Sequence, residues 1–310
     1  MSRRVSCTPF LPLLCLALLP FVAADAQYSP SVMFSSLLNN ISLQEKDGKF
    51  DLGNQIQVVF VKENQNGTLV VRKADGTELY KQDWHTELVR EPYYLVAQTK
   101  TIDAATGETI YGMKLQEGDY VLDFYLEGVK FYAYPFSVKK RTPSDPFAGG
   151  PFYTLEGDWQ DWGYLIYPEA RQDQTLYWKI FLRHLDTERM EKDFKIDVRI
   201  VRDKDKKLVC GGPGPGTTIS LFHRWVRYEF MMSHPEKEQK YGEYFKAQNL
   251  LAVDGDYTLT LYLDEKPYGV WKFKVQNNKL VYDGRTVRGQ ADPLSFIEGG
   301  RDAWWYKRVK

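Results

Sequence analysis

Residues 118–138, GDYVLDFYLEGVKFYAYPFSV, and residues 255–275, GDYTLTLYLDEKPYGVWKFKV, carry one pattern twice, and this repeat limits the fold more than any other feature of the chain. Aligned without a gap at an offset of 137, the two stretches share eight of 21 positions. The shared positions run from Gly118/Gly255, Asp119/Asp256 and Tyr120/Tyr257 to Phe136/Phe273 and Val138/Val275. In the first copy Tyr120, Leu122, Phe124 and Leu126 fall on every second residue, and in the second Tyr257, Leu259, Leu261 and Leu263 do the same. A side-chain period of two is the pleat of a half-buried strand, because successive Cβ atoms point to opposite faces. A turn follows, Glu127-Gly128 in one copy and Asp264-Glu265-Lys266-Pro267 in the other, and a second strand ends in Phe-x-Val. The opening Gly-Asp is turn chemistry too: glycine tolerates positive φ, and aspartate hydrogen-bonds nearby backbone. Each copy therefore closes with a β-hairpin burying one face, and the pair reads as a duplication.

Further strands lie upstream of both hairpins. Ile56, Val58 and Phe60 alternate, and Leu69-Val70-Val71 precedes the turn Asp75-Gly76. In the second half Trp178, Ile180 and Leu182 alternate, as do Phe194–Ile200 and Val226, Tyr228 and Phe230. Only Pro235–Leu250 hints at a helical period. Many short strands between turns predict an all-β chain of two tandem sandwiches. Between the halves, residues 141–151 hold three prolines and two glycines, which cannot sustain a strand ladder. The expected layout is a signal peptide at 1–26, a lead-in at 27–49, a sandwich at 50–140, a Pro/Gly linker at 141–151, a second sandwich at 152–278 and a tail at 279–310. On the strength of the closing hairpins, the two units resemble immunoglobulin-like or fibronectin-like modules.

The first segment reads as an address. Ser2-Arg3-Arg4 is positive, Pro9–Val22 is apolar, and Ala24-Asp25-Ala26 places small residues where a signal peptidase cuts. The apolar run is broken by Pro9, Pro12 and Pro20 and falls short of the roughly 20 residues that span a bilayer. Cleavage after Ala26 predicts an extracytoplasmic protein, periplasmic or secreted, with no transmembrane segment in the mature chain. Cys7 and Cys15 leave with the leader, so Cys210 alone remains and cannot staple its own chain. The 41 basic and 41 acidic residues balance, whereas a nucleic-acid binder usually carries a basic excess. Asn40-Ile41-Ser42 and Asn66-Gly67-Thr68 fit the glycosylation pattern.

Catalytic signals are weak. The glycine-rich run after Cys210 lacks the Gly-Lys-Ser/Thr of a phosphate loop, and a thiol nucleophile needs a base that sequence does not place. In an oxidising compartment the expectation for that thiol is an intermolecular disulfide through Cys210. His85, His184, His223 and His234 form no metal-ligand spacing, and Asp203-Lys204-Asp205 lacks the later ligands of a calcium loop. Carboxylates such as Glu156, Asp158, Asp161 and Glu169 are plentiful, but nothing pairs two of them across a cleft. The expectation is no catalytic residue, no metal and no cofactor.

Aromatic clusters are the stronger signal in a chain with 15% aromatic residues. Trp159, Trp162, Tyr164 and Tyr167 open the second unit, and Trp304, Trp305 and Tyr306 stand before a basic C-terminus. Exposed rings of this kind stack on sugars or on partner side chains; the competing expectation for the first cluster is that its rings pack the junction between the units or the second core, where most large apolar residues go. The terminal cluster could dock into another protein or touch an anionic membrane surface, or its tryptophans could fold back onto a sandwich. The sequence reading is an exported, non-enzymatic binding or structural protein with a protein or polysaccharide partner and no nucleic acid. Two alternatives stay open: a carbohydrate-binding or accessory module on the aromatic platform, and an extracytoplasmic hydrolase with its site in the groove between the units.

Overall fold

The computed structural model describes residues 30–310 except 45, 54, 91–92, 145–149, 169–170, 187–188, 214–215, 236–243 and 282–302. The expected signal peptide lies outside the described residues. The chain begins with β1 (Ser31–Val32), α1 (Phe34–Asn40), β2 (Ile41–Leu43), β3 (Lys49–Leu52) and β4 (Gln57–Val59). It continues through β5 (Asn66–Lys73), β6 (Glu78–Arg90), β7 (Tyr93–Asp103), β8 (Thr109–Ile110) and β9 (Met113–Lys114). The first hairpin, β10 (Gly118–Leu126) and β11 (Val129–Arg141), leads to β12 (Phe152–Glu156). After a short 3-10 turn come β13 (Trp162–Ile166), β14 (Tyr177–Leu182), β15 (Glu191–Arg202), β16 (Lys207–Gly212), β17 (Thr218–Phe222) and β18 (Val226–Met231). α2 (Ala247–Leu251) precedes the second hairpin, β19 (Gly255–Leu263) and β20 (Lys266–Gln276), and then β21 (Lys279–Val281) and β22 (Ala303–Lys307).

The fold is all-β. One sheet runs β1-β4-β7-β6-β5-β10-β11-β12 with β8 on β7, and a small one runs β2-β3-β9. A second large sheet runs β16-β15-β19-β20-β21 with β17 on β15, and a four-stranded sheet runs β18-β14-β13-β22.

The repeat is as plain in space as in sequence. Gly118 sits opposite Val138 and Gly255 opposite Val275, and both ladders slip at the equivalent place, Phe124/Tyr125 and Leu261/Tyr262. Both turns have two residues of positive φ: Glu127 at 47° and Gly128 at 79°, Asp264 at 48° and Glu265 at 65°. Such a turn matches the right-handed twist of its strands. The second turn is thus Asp264-Glu265 alone, and Lys266-Pro267, expected within it, belong to β20. Each turn carboxylate accepts from a neighbouring strand: Asn66 N–H donates to Glu127 Oε1 at 2.7 Å, and Lys195 N–H to Asp264 Oδ1 at 2.9 Å. The shared tyrosine explains itself as well. Tyr120 Oη donates to the Gln116 carbonyl at 2.8 Å, and Tyr257 Oη to the Val253 carbonyl at 2.6 Å, each four residues upstream.

The duplication extends beyond the hairpins. β5 flanks β10 with Lys73 opposite Tyr120, and β15 flanks β19 with Arg202 opposite Tyr257. On the far side Leu155 of β12 sits opposite Val138, and Leu280 of β21 opposite Val275. Each half therefore holds the same five-strand path, β6-β5-β10-β11-β12 and β16-β15-β19-β20-β21.

Three expected boundaries shift. β12 pairs with β11 from Ser137/Glu156 to Arg141/Phe152, so 141–151 joins two neighbours of one sheet, and the chain leaves that sheet only after Glu156. The lead-in is core: β1 pairs with β4, and α1 buries Phe34, Leu37 and Leu38, so packing holds a helix that has no side-chain cap. At the other end, 279–310 contains two paired strands, β21 on β20 and β22 on β13. Of the weak helical stretch Pro235–Leu250, the described part contributes the start of α2, while Tyr244 and Lys246 form isolated β-bridges.

Three strands of the four-stranded sheet, β13, β14 and β22, are buried on both faces, while the edge strand β18 is partly exposed. Trp162, Tyr164, Ile166, Phe181, Ala303 and Trp305 join the core of the first half, while Leu165, Trp178, Ile180, Leu182, Trp304 and Tyr306 join that of the second. β22 thus sends successive residues into two different cores. Trp305 stacks on Tyr164 at 4.1 Å and meets Phe34 edge-on at 5.5 Å, whereas Trp304 stacks on Tyr167 at 4.3 Å. At about 1.5–3 kcal/mol for each large apolar side chain buried, this layer welds the halves together.

Candidate functional site

Beside this shared layer the halves meet through polar groups. Arg183, directly after β14, is buried; its Nη2 donates to Glu156 Oε1 at 2.6 Å and its Nη1 to the Leu155 carbonyl at 3.1 Å. Arg141 Nη2 donates to the same carboxylate oxygen at 2.8 Å. Burial by itself would raise the Glu156 pKa, but hydrogen bonds and charge from Arg183 and then Arg141 outweigh it and hold the carboxyl below its usual range. Trp225 Nε1 also donates to the Leu155 carbonyl, at 2.7 Å; the Arg183 guanidinium lies 4.4 Å from the Trp225 ring centre, and Trp159 meets that ring edge-on at 6.0 Å.

Two imidazoles complete the junction, with ring centres 4.7 Å apart. His184 Nδ1 accepts from the Asp186 N–H at 3.1 Å, so its proton belongs on Nε2, which lies 3.3 Å from the Met190 carbonyl. Burial lowers the His184 pKa. His223 Nε2 lies 2.7 Å from the Asp186 carbonyl, and Phe152 of the first half stacks on its ring at 4.1 Å.

These groups border a groove of about 1170 Å³, where α1, β2 and β12 of the first half face the β17–β18 turn of the second. Leu38, Leu155, Trp159 and Phe181 line its apolar part; Tyr153, Phe222 and Trp225 reach it with partly exposed rings. Asn39, Ser42, Gln44, Glu191 and Arg224 supply donors and acceptors. Such a mixture can hold a ligand by stacking and hydrogen bonds. Its carboxylate neighbour Glu156 is committed to two arginines, and Asp161 to Arg308 at 2.7 Å, which leaves neither poised for proton transfer.

The expected aromatic platform is interior. Of the seven residues singled out by sequence, Trp304 and Tyr306 are the most exposed and keep only 8% of their surface; Trp159, Trp162, Tyr164, Tyr167 and Trp305 keep less. A flat face already covered by core cannot stack on a ligand. Trp159 alone lines the groove, while Trp162, Trp305 and Tyr306 border a smaller hollow of about 570 Å³ along β22. The terminal cluster is a paired strand with no free peptide to lay on a membrane. The rings that do reach the groove, Tyr153, Phe222 and Trp225, drew no attention in the sequence. Phe222-His223-Arg224-Trp225, bulky residues crowded into a strand connection, was the available signal.

The remaining candidates occupy structural places. Cys210 is fully buried, which pushes its thiol pKa up, so no sulfur is offered to a substrate or to a second chain. Asp203-Lys204-Asp205 is a turn in which Arg202 pairs with Asp205 and Asp203 accepts from Thr258 Oγ1 at 2.7 Å. Asn40 Nδ2 donates to the Ser36 carbonyl at 2.8 Å, whereas Asn66 is exposed. Among the described residues no group of three or more His, Cys, Asp or Glu is placed to hold a metal, and no helix is long and apolar enough to cross a membrane. Compared with known families and with curated proteins, the chain matches no family model and no curated protein.

Proposed function

We propose that this chain is an exported, non-enzymatic binding protein whose ligand lies in the groove at the junction of two β-sandwich modules. The observation that carries the reading is the groove's construction. Its walls come from both halves, and the halves share a sheet whose strands β13, β14 and β22 are buried on both faces, so the cavity is preformed and binding costs little reordering. Immunoglobulin-like or fibronectin-like modules are favoured by the repeated five-strand path and by the paired Tyr120 and Tyr257 hydroxyl bonds, which resemble the tyrosine corner of such sandwiches. Export is proposed from the leader alone, and mass spectrometry of the secreted or periplasmic product should find Gln27 at its N-terminus.

Filling the groove tests the site. Val226→Trp and, separately, Ser42→Trp place an indole on its lining. A panel of polysaccharides and a displayed peptide library are screened against the wild type and both variants. Binders lost in both variants at unchanged melting temperature support the reading; binders indifferent to both refute it.

A further inference from the structure

We infer that the groove takes a neutral polysaccharide chain, stacked on Tyr153, Phe222 and Trp225. The inference rests on the groove being the binding site and adds the chemistry of the ligand. Trp225 is only partly buried, yet its N–H bond to Leu155, the guanidinium of Arg183 on its ring and the edge of Trp159 hold it in place. Its polar atom is spent within the protein. What remains for a ligand is apolar ring surface with little rotamer entropy left to lose, the surface that the C–H face of a sugar ring covers.

Charge points the same way. The lining carries both signs in near balance, three cations (Lys46, Arg224 and Arg227) beside two carboxylates (Asp47 and Glu191). A polyanion or polycation would meet like charge as well as unlike, whereas hydroxyl groups can donate to the carboxylates and accept from the cations and amides. At about 1170 Å³ the groove exceeds the roughly 300–1,000 Å³ of ordinary small-molecule sites, as a chain of several sugar rings requires.

An extended peptide is disfavoured by the backbone. Peptides gain affinity on a sheet edge through main-chain hydrogen bonds. The edge of β12 that borders the groove is capped, because the Leu155 carbonyl already accepts from both Trp225 Nε1 and Arg183 Nη1. No strand can add there without displacing a buried guanidinium.

The experiment is affinity electrophoresis and calorimetry of the full chain against neutral polysaccharides (cellulose, mixed-linkage β-glucan, xylan, starch) and acidic ones (alginate, polygalacturonate). Tyr153→Ala and Phe222→Ala are compared with Tyr111→Ala, an exposed tyrosine away from the groove. Binding to a neutral polysaccharide that weakens about tenfold in each groove variant, at unchanged melting temperature and with Tyr111→Ala unaffected, supports the inference. Binding to acidic polysaccharides alone, or neutral binding that survives both substitutions, overturns it. Peptide binders abolished by Val226→Trp in the absence of any glycan binding overturn the ligand class and leave the groove standing. If nothing binds in either screen, both proposals fall.

Discussion

Trp305→Ala tests whether β22 welds the two halves. The side chain keeps 1% of its surface, stacks on Tyr164 at 4.1 Å and meets Phe34 at 5.5 Å. Truncating a buried tryptophan costs about 3–5 kcal/mol through lost contacts and the cavity left behind. One feature lowers that figure. The indole N–H is buried and has no hydrogen-bond partner among the described residues, and its removal relieves a desolvation cost of about 1–3 kcal/mol. The expected loss is therefore about 2 kcal/mol, or a melting temperature lower by about 4–8 °C at the 2–4 °C per kcal/mol of a chain this size. Trp305→Phe keeps a ring and deletes the orphan donor, and it should cost less than half as much. Urea unfolding followed by far-UV circular dichroism and by tryptophan fluorescence reads both variants. Because β22 feeds both cores, the two probes should move together in a single transition. A loss under about 1 kcal/mol, or two transitions of which only one shifts, would refute the account of a shared layer.

Arg183→Met leaves Glu156 half-buried beside Arg141 alone and should destabilise the chain by about 2–4 kcal/mol, with much of that recovered in the Arg183→Met/Glu156→Met double variant; thermal denaturation of the set measures the recovery. His184 has a lowered pKa in the folded chain, so below its unfolded value of about 6.5 the unfolded state binds more protons and stability falls as the pH drops. Melting temperatures from pH 8 to 5 should decline, and His184→Gln should flatten the decline. Glu156 adds a separate loss at more acid pH, since its depressed pKa contributes stability that is full above about 4.3 and disappears as the pH falls through the folded value. Glu265→Gly relieves a left-handed residue at φ 65° and copies the Gly128 of the first turn, so it should raise stability by about 0.5–1 kcal/mol; an unchanged or lower melting temperature would count against the equivalence of the turns.

The repeat was legible because its determinants are local. Tyr120, Leu122, Phe124 and Leu126 announce their sidedness within one strand, and the Gly-Asp-Tyr start and two-residue turn need only their immediate neighbours. The same locality explains where the reading went astray. Three prolines in 141–151 predict a break in the strand ladder, but a break cannot say which edge the next strand will join, and β12 pairs with β11. Trp162–Ile166 and Ala303–Tyr306 do not alternate, so sequence left both an exposed platform and a packed interior open for their rings, and the structure covers both faces. An unbroken apolar run marks a strand buried on both sides as readily as a binding surface, since composition records how much a side chain seeks cover and not what lies across from it. Sequence alone determined that pleated hairpins form twice, because pleat and turn are written residue by residue. Only the tertiary structure decided that a strand from the far C-terminus lies between the two cores, and that the rings left at the groove are Tyr153, Phe222 and Trp225, because exposure is set by packing between segments distant in the chain.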